Sequence, residues 1–232
     1  MIVAAALCPG PPLLIRELSG ADPAAAILRG ACHTAVATLV STELDLVAVV
    51  GAADRAAQWP ASARPDLASY GAAPPHRAEV APLSVGLGAL LLDEIGYEGP
   101  MRLQTLDAAG PKATCDKVAE ELNTAADRVG LLIVADGSAR RSLKAPGYFD
   151  DRAEPYDSAV QQAIASGELQ ALRTLDAELA RELMASGWAA LQLLAAAFDG
   201  NRPQTTIHYA DAPFGVGYLV ATITRARPPS DG

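Results

Sequence analysis

The sequence predicts an α/β layer fold, a parallel or mixed sheet packed with helices in a single domain spanning 1–232. Three observations predict it. Leu46–Val50 and Val129–Ala135 are continuously apolar runs of strand length, the pattern of strands buried on both faces. Strand patterns alternate with helical patterns along the chain. No internal repeat, low-complexity linker or shift in composition divides the 232 residues, a length ample for one large core.

The elements follow in order. Ile2 to Leu7 reads as a buried strand that runs into the rigid turn Cys8-Pro9-Gly10-Pro11-Pro12. Pro23–Val40 reads as a helix, with Asp22 as N-cap and Pro23 at the first helical position, where its missing N–H costs nothing. Ile27, Ala31, Thr34, Ala35, Thr38 and Leu39 are expected on its core face. Leu46–Val50 is a strand ended by Gly51, and 52–82, with five prolines, is expected to be irregular. A helix over 84–95, a strand over 101–106 and an amphipathic helix over 111–128 with Val118 and Leu122 inward come next. Val129–Ala135 then delivers Asp136-Gly137-Ser138-Ala139-Arg140-Arg141 at its carboxyl end. Helical patterns near 155–166, 168–185 and 187–198 and short strands over 205–226 complete the chain, and 227–232 is expected to be a flexible tail.

Composition bounds function. Half the residues are hydrophobic but only 5% aromatic, so the core is aliphatic. The net charge of −9 opposes nucleic acid and anionic membrane, which require a basic surface. Three cysteines, Cys8, Cys32 and Cys115, with no CxxC give neither a disulfide framework nor a structural zinc site. Cys8 has no basic neighbour in sequence and reads as a buried thiol. No basic segment precedes the apolar N-terminus, and no stretch is expected to approach the ~18 apolar residues of a membrane span, so a cytoplasmic protein is expected.

The polar residues concentrate in DGSARRSLK after a buried strand. In open α/β sheets ligands bind at the carboxyl ends of strands, and guanidinium forks match carboxylate or phosphate oxygens. Asp136, Ser138, Arg140, Arg141 and Lys144, with Asp54 beyond the second long strand, are therefore candidates for binding a small anion. The competing reading is that the arginines pair with Asp150, Asp151, Glu154 or Asp157 and pin the loop. Gly137 is expected to serve a tight turn, and Tyr148 and Phe149 to cover the loop. His33 lies mid-helix. His76, His208 and Asp211 are an alternative metal set, although spacing alone does not make a site. No GxSxG, P-loop or dinucleotide fingerprint is present.

Four stretches together, the N-terminal strand with CPGPPLLIREL, VVGAADR, DGSARRSLKAPGYFDDRAEPYD and DAPFGVGYLVA, resemble the LigB-like family. That family comprises the catalytic subunits of class III extradiol ring-cleavage dioxygenases and the related Memo-like proteins, and the resemblance is greatest to a small bacterial branch of it. The resemblance covers most of the chain. It implies a largely parallel sheet with helices on both faces, and assemblies that are often dimeric. It also implies a non-haem Fe(II) held by two histidines and a glutamate, with a further histidine as acid/base; such a facial set leaves room for catechol and O₂. Carried over residue by residue, the first histidine slot is Gly10, the second falls at Gly51-Ala52-Ala53-Asp54, and the catalytic one falls near Ser138-Ala139-Arg140. Asp211 is the nearest candidate for the late carboxylate. The expectation is a family member that lacks the iron ligands, binds no cofactor and cleaves no ring, and that binds a small anion or serves as an interaction protein. The alternative is an enzyme using Fe(II) or another divalent metal at a rearranged site.

Overall fold

The computed structural model describes residues 1–71 and 79–225. The expected tail over 227–232, His76 and the Pro74-Pro75 pair lie outside the described residues. One seven-stranded sheet organises the chain, in the order β3-β6-β2-β7-β1-β9-β8. Its strands are β1 (Ile2–Cys8), β2 (Leu46–Ala53), β3 (Ala57–Trp59), β6 (Met101–Asp107), β7 (Val129–Val134), β8 (Gln204–Asp211) and β9 (Tyr218–Thr224). The four inner strands β6, β2, β7 and β1 run parallel, while β3, β9 and β8 add antiparallel pairings at the two sides, so the sheet is mixed. β4 (Arg64–Pro65) and β5 (Val80–Ala81) form a separate short pair.

Helices cover both faces. On one side α2 (Pro23–Val40) and α3 (Leu83–Glu94) pack against Ala4, Ala6, Val47, Val49 and Leu132; on the other α4 (Lys112–Asn123), α5 (Ala153–Ser166) and α7 (Trp188–Ala197) pack against Ala5, Leu7, Val50, Leu131 and Ile133. Alternate residues of each strand thus feed different layers, as the period of two requires. Asp22 caps α2 by accepting the Ala25 N–H at 3.0 Å.

The structure corrects several expectations. The buried face of α2 is Leu28, Cys32, Ala35, Val36 and Leu39, and Ile27 is exposed. Arg29 sets this rotation: it is buried, with Nε donating to Leu14 O at 2.7 Å and Nη2 to Ser19 Oγ at 2.6 Å, tying the segment after β1, including the short α1 (Arg16–Ser19), to the helix. α2 has the length and composition of a membrane-crossing helix, 18 residues at mean hydropathy 1.3, contrary to the expectation that no stretch comes near this; its apolar face packs on the sheet. β2 continues through Gly51 to Ala53 because β6 pairs with it up to Asp107. Residues 52–71 are more ordered than expected. Trp59 Nε1 donates to Thr105 Oγ1 at 3.0 Å, and buried Arg64 grips Asp93 of α3 through two 2.7 Å bonds. α4 stops at Asn123, whose Oδ1 accepts the Ile2 N–H at 2.9 Å, and the carbonyls of Ala126 and Asp127 take the N-terminal ammonium. The 168–185 pattern is two elements, a 3₁₀ segment over Leu169–Thr174 and α6 (Ala177–Glu182), because Asp176 starts a new helix by accepting the Leu179 N–H.

Candidate functional site at the carboxyl edge of the sheet

The parallel strands all end at one edge, and β1 and β7 end in register, Cys8 opposite Val134. The Ala135 N–H donates to Cys8 O at 2.9 Å, so the turns after the two strands lie side by side. Across them, the Gly10 N–H donates to Asp136 Oδ1 at 2.9 Å. A Cβ on residue 10 would meet Val134 Cγ1 at 2.8 Å, so the Pro-Gly-Pro turn holds backbone where a side chain does not fit. Burial pushes the Asp136 carboxyl up to about 6, with the Gly10 N–H and the Ser186 side chain pulling it back down.

Asp136, Gly10, Ala52, Ser84 and Ser186 line a small cavity of about 180 Å³. Ser84 Oγ donates to Ala52 O at 2.8 Å. Ser186 also lines a second, largely apolar cavity of about 640 Å³ formed by Ala108, Ala109, Ala180, Met184, Ala185 and Trp188. Ser84, Ser186 and Trp188 were not singled out by the sequence. The only signal was position: Ser84 opens a helical pattern, Ser186 falls between two of them, and Trp188 lies at the start of the second.

The DGSARR loop is pinned chiefly by Asp157 of α5. Asp157 accepts the Ser138 N–H at 2.8 Å, the Ser138 hydroxyl at 2.7 Å and Arg141 Nη1 at 3.1 Å. Glu154 lies 3.7 Å from Arg141. Ser138 is fully buried and committed to this network, and Arg141 is an ion-pair partner. Gly137 serves close approach: a Cβ there would meet Asp157 Oδ1 at 2.6 Å and Gly217 O at 2.9 Å, and its φ is not positive as a glycine-requiring turn would demand. Arg140 makes no ion pair among the described residues, and its Nε is buried without a partner. Lys144 is exposed; Asp54 is exposed and lines neither cavity. Arg152 holds Asp150 down to about 2 by hydrogen bonding. Tyr148 and Phe149 are exposed rather than closed over the loop. A third cavity, of about 200 Å³, lies beside α5 and is lined in part by Arg141, Tyr156, Asp157 and Asp211.

The alternative metal set does not assemble among the described residues. His208 Nε2 lies 3.0 Å from Thr222 Oγ1, and Asp211 caps its own turn through the Ala212 N–H. His33 pairs with Glu94 at 2.6 Å. No three His, Cys, Asp or Glu side chains converge as metal ligands among the described residues. At the edge, Gly10, Ala52 and Ala53 stand at the slots where the resemblance requires imidazoles, and Asp136 is the one carboxylate lining the small cavity there. One carboxylate with two serine hydroxyls does not fit an Fe(II) facial set. Cys8, Cys32 and Cys115 are free and buried; hydrogen bonding with Cys32, together with burial, raises the Cys8 thiol, so it is not a poised nucleophile.

No family model matches the chain, and no curated protein matches it. Among solved structures it is similar to the uncharacterised protein JW3007 of Escherichia coli K12. The TM-score is 0.50 at 15% identity, over 95% of this chain and 99% of that one. At that identity the similarity concerns the fold alone.

Proposed function

We propose that this chain is a LigB-like protein that does not cleave rings and binds a small molecule at the carboxyl edge of its sheet, with Asp136 as the central polar group and no resident iron. The observation that carries the proposal is the hydrogen bond from the Gly10 N–H to Asp136 Oδ1 at 2.9 Å. It puts a carboxylate against the turn where the resemblance places an imidazole. A carboxyl raised to about 6 changes protonation near neutrality, so Asp136 can accept a hydrogen bond when ionised and donate one when neutral. Ser84 and Ser186 add hydroxyls to the same cavity. A cytoplasmic location belongs to the same proposal and is supported by three buried thiols left unpaired.

The test is metal analysis after loading with Fe(II) or Zn(II), together with a catechol-cleavage assay. Substoichiometric metal and no cleavage are expected. Tight stoichiometric metal would overturn the proposal.

A second reading keeps the small anion, at Arg140, because its buried Nε has no partner while Arg141 is neutralised by Asp157 and Glu154. Inorganic phosphate or acetate should then raise the melting temperature of the unsubstituted protein and not of Arg140→Ala. If neither anion shifts it, that reading fails.

A further inference from the structure

Building on the reading of Asp136 as the centre of a ligand site, we propose that the ligand has an uncharged apolar body and a single hydrogen-bond-donating head group, an alcohol or an amine. The head would occupy the cavity at Asp136, and the body the apolar cavity beside it.

Two cavities, one of mixed lining and one largely apolar, share one lining residue. Ser186 lines both the cavity of about 180 Å³ that contains Asp136 and Ser84 and the one of about 640 Å³ next to it. The larger cavity is roomy because its walls are alanines, chiefly Ala108, Ala109, Ala180 and Ala185. Trp188 contributes an apolar ring, since its Nε1 is already committed to Leu175 O at 3.2 Å. The two charged residues at this cavity, Glu178 and Arg181, pair with each other and leave no free charge to hold a charged body. Met184, half exposed, sits there with a φ of +55°, a conformation that costs a non-glycine residue free energy and that collects at ligand sites. A thioether is also an adaptable wall for an apolar guest.

The head group follows from Asp136. Its Oδ1 already accepts the Gly10 N–H, and in alkaline solution the carboxylate can only accept. A ligand reaching it must donate. A carboxylate head would face a like charge inside a small, poorly solvated cavity and be rejected.

The test titrates the full chain at pH 8 with 1-hexanol, hexylamine and hexanoate. Binding is read by calorimetry, and by Trp188 fluorescence in a Trp59→Phe background, which removes the only other tryptophan. Hexanol and hexylamine should bind about tenfold or more tightly than hexanoate, the cost of one lost charge-assisted hydrogen bond. Asp136→Asn should erase that preference. Ala109→Phe, at an exposed loop position, should fill the apolar cavity and weaken hexanol about tenfold without changing the pH dependence of stability that Asp136 confers. Absence of binding by all three ligands, hexanoate binding as well as hexanol, or indifference to Ala109→Phe would each overturn the inference. If the pH dependence of stability still traces to Asp136 in any of these cases, the Asp136 site of the proposed function stands and only the ligand class assigned to it here falls.

Discussion

Asp136 is held in a state that costs the folded chain free energy. A carboxyl raised from 3.8 to about 6 binds its proton more tightly when folded than when unfolded. The stabilisation this gives is complete below pH ~4 and is lost as pH rises through about 6; the difference between the two limits is up to roughly 3 kcal/mol. Asp136→Asn keeps an oxygen for the Gly10 N–H and removes the titration. At pH 8 the variant should therefore be more stable than the parent by ~1–3 kcal/mol, and at pH 4 about equal to it, as read from urea midpoints at each pH. Identical pH profiles for the two proteins would show that Asp136 titrates normally and deprive the site of its central group. An acid retained against such a cost is the mark of residues kept for function rather than stability. The sequence singled out Asp136 because it follows a buried strand. It did not reveal that Gly10 faces it, because 126 residues separate them and only the pairing of β1 with β7 brings the two turns together.

Among the elements, those with a local physical signature were legible. α2 was readable to the residue at its start because Asp22 and Pro23 specify it there, and β7 because its run of apolar residues has the length of a strand buried on both faces and is too short for a helix. The rotation of α2 was not readable, since it depends on a buried Arg29 that reaches back to Leu14 and Ser19. β3, β4 and β5 escaped notice because strands of two or three residues have no periodicity and exist only through partners distant in sequence. The DGSARR loop was read as a basic, ligand-binding segment or a pinned one, and charge alone could not decide between them. Its order depends on one acidic side chain: Asp157 satisfies the Ser138 amide, the Ser138 hydroxyl and Arg141 at once. Asp157→Ala leaves a buried hydroxyl, an amide and a guanidinium short of partners, which costs about 2–4 kcal/mol. The variant should lose that stability and become sensitive to limited proteolysis between 139 and 152, while Glu154→Ala, which removes only the exposed second partner of Arg141, should do neither. A loop equally protected in both variants would show that backbone pairing with Gly215 and Gly217 holds it without the carboxylate.

At the scale of the whole molecule, one sheet separates two apolar layers and each central strand serves both. On β7, Leu132 is fully buried in the layer beneath α2 and α3, and Ile133, its neighbour in sequence, is fully buried in the layer beneath α4, α5 and α7. The two tryptophans report on opposite sides, since Trp59 packs on the first layer and Trp188 lies in the second. Were the layers independent, a cavity in one would leave the other's transition in place. Because β7 is paired on both sides, by β2 and by β1, it cannot leave one layer without leaving the other. Leu132→Ala and Ile133→Ala should each cost about 2–5 kcal/mol, and each should shift the Trp59 signal, the Trp188 signal and the far-ultraviolet circular dichroism to the same lower urea midpoint. If Leu132→Ala moves the Trp59 transition and leaves that of Trp188 where it was, the two layers unfold separately. The carboxyl-edge site, built from turns that both layers hold in place, would then lose its rigid frame whenever either layer opened.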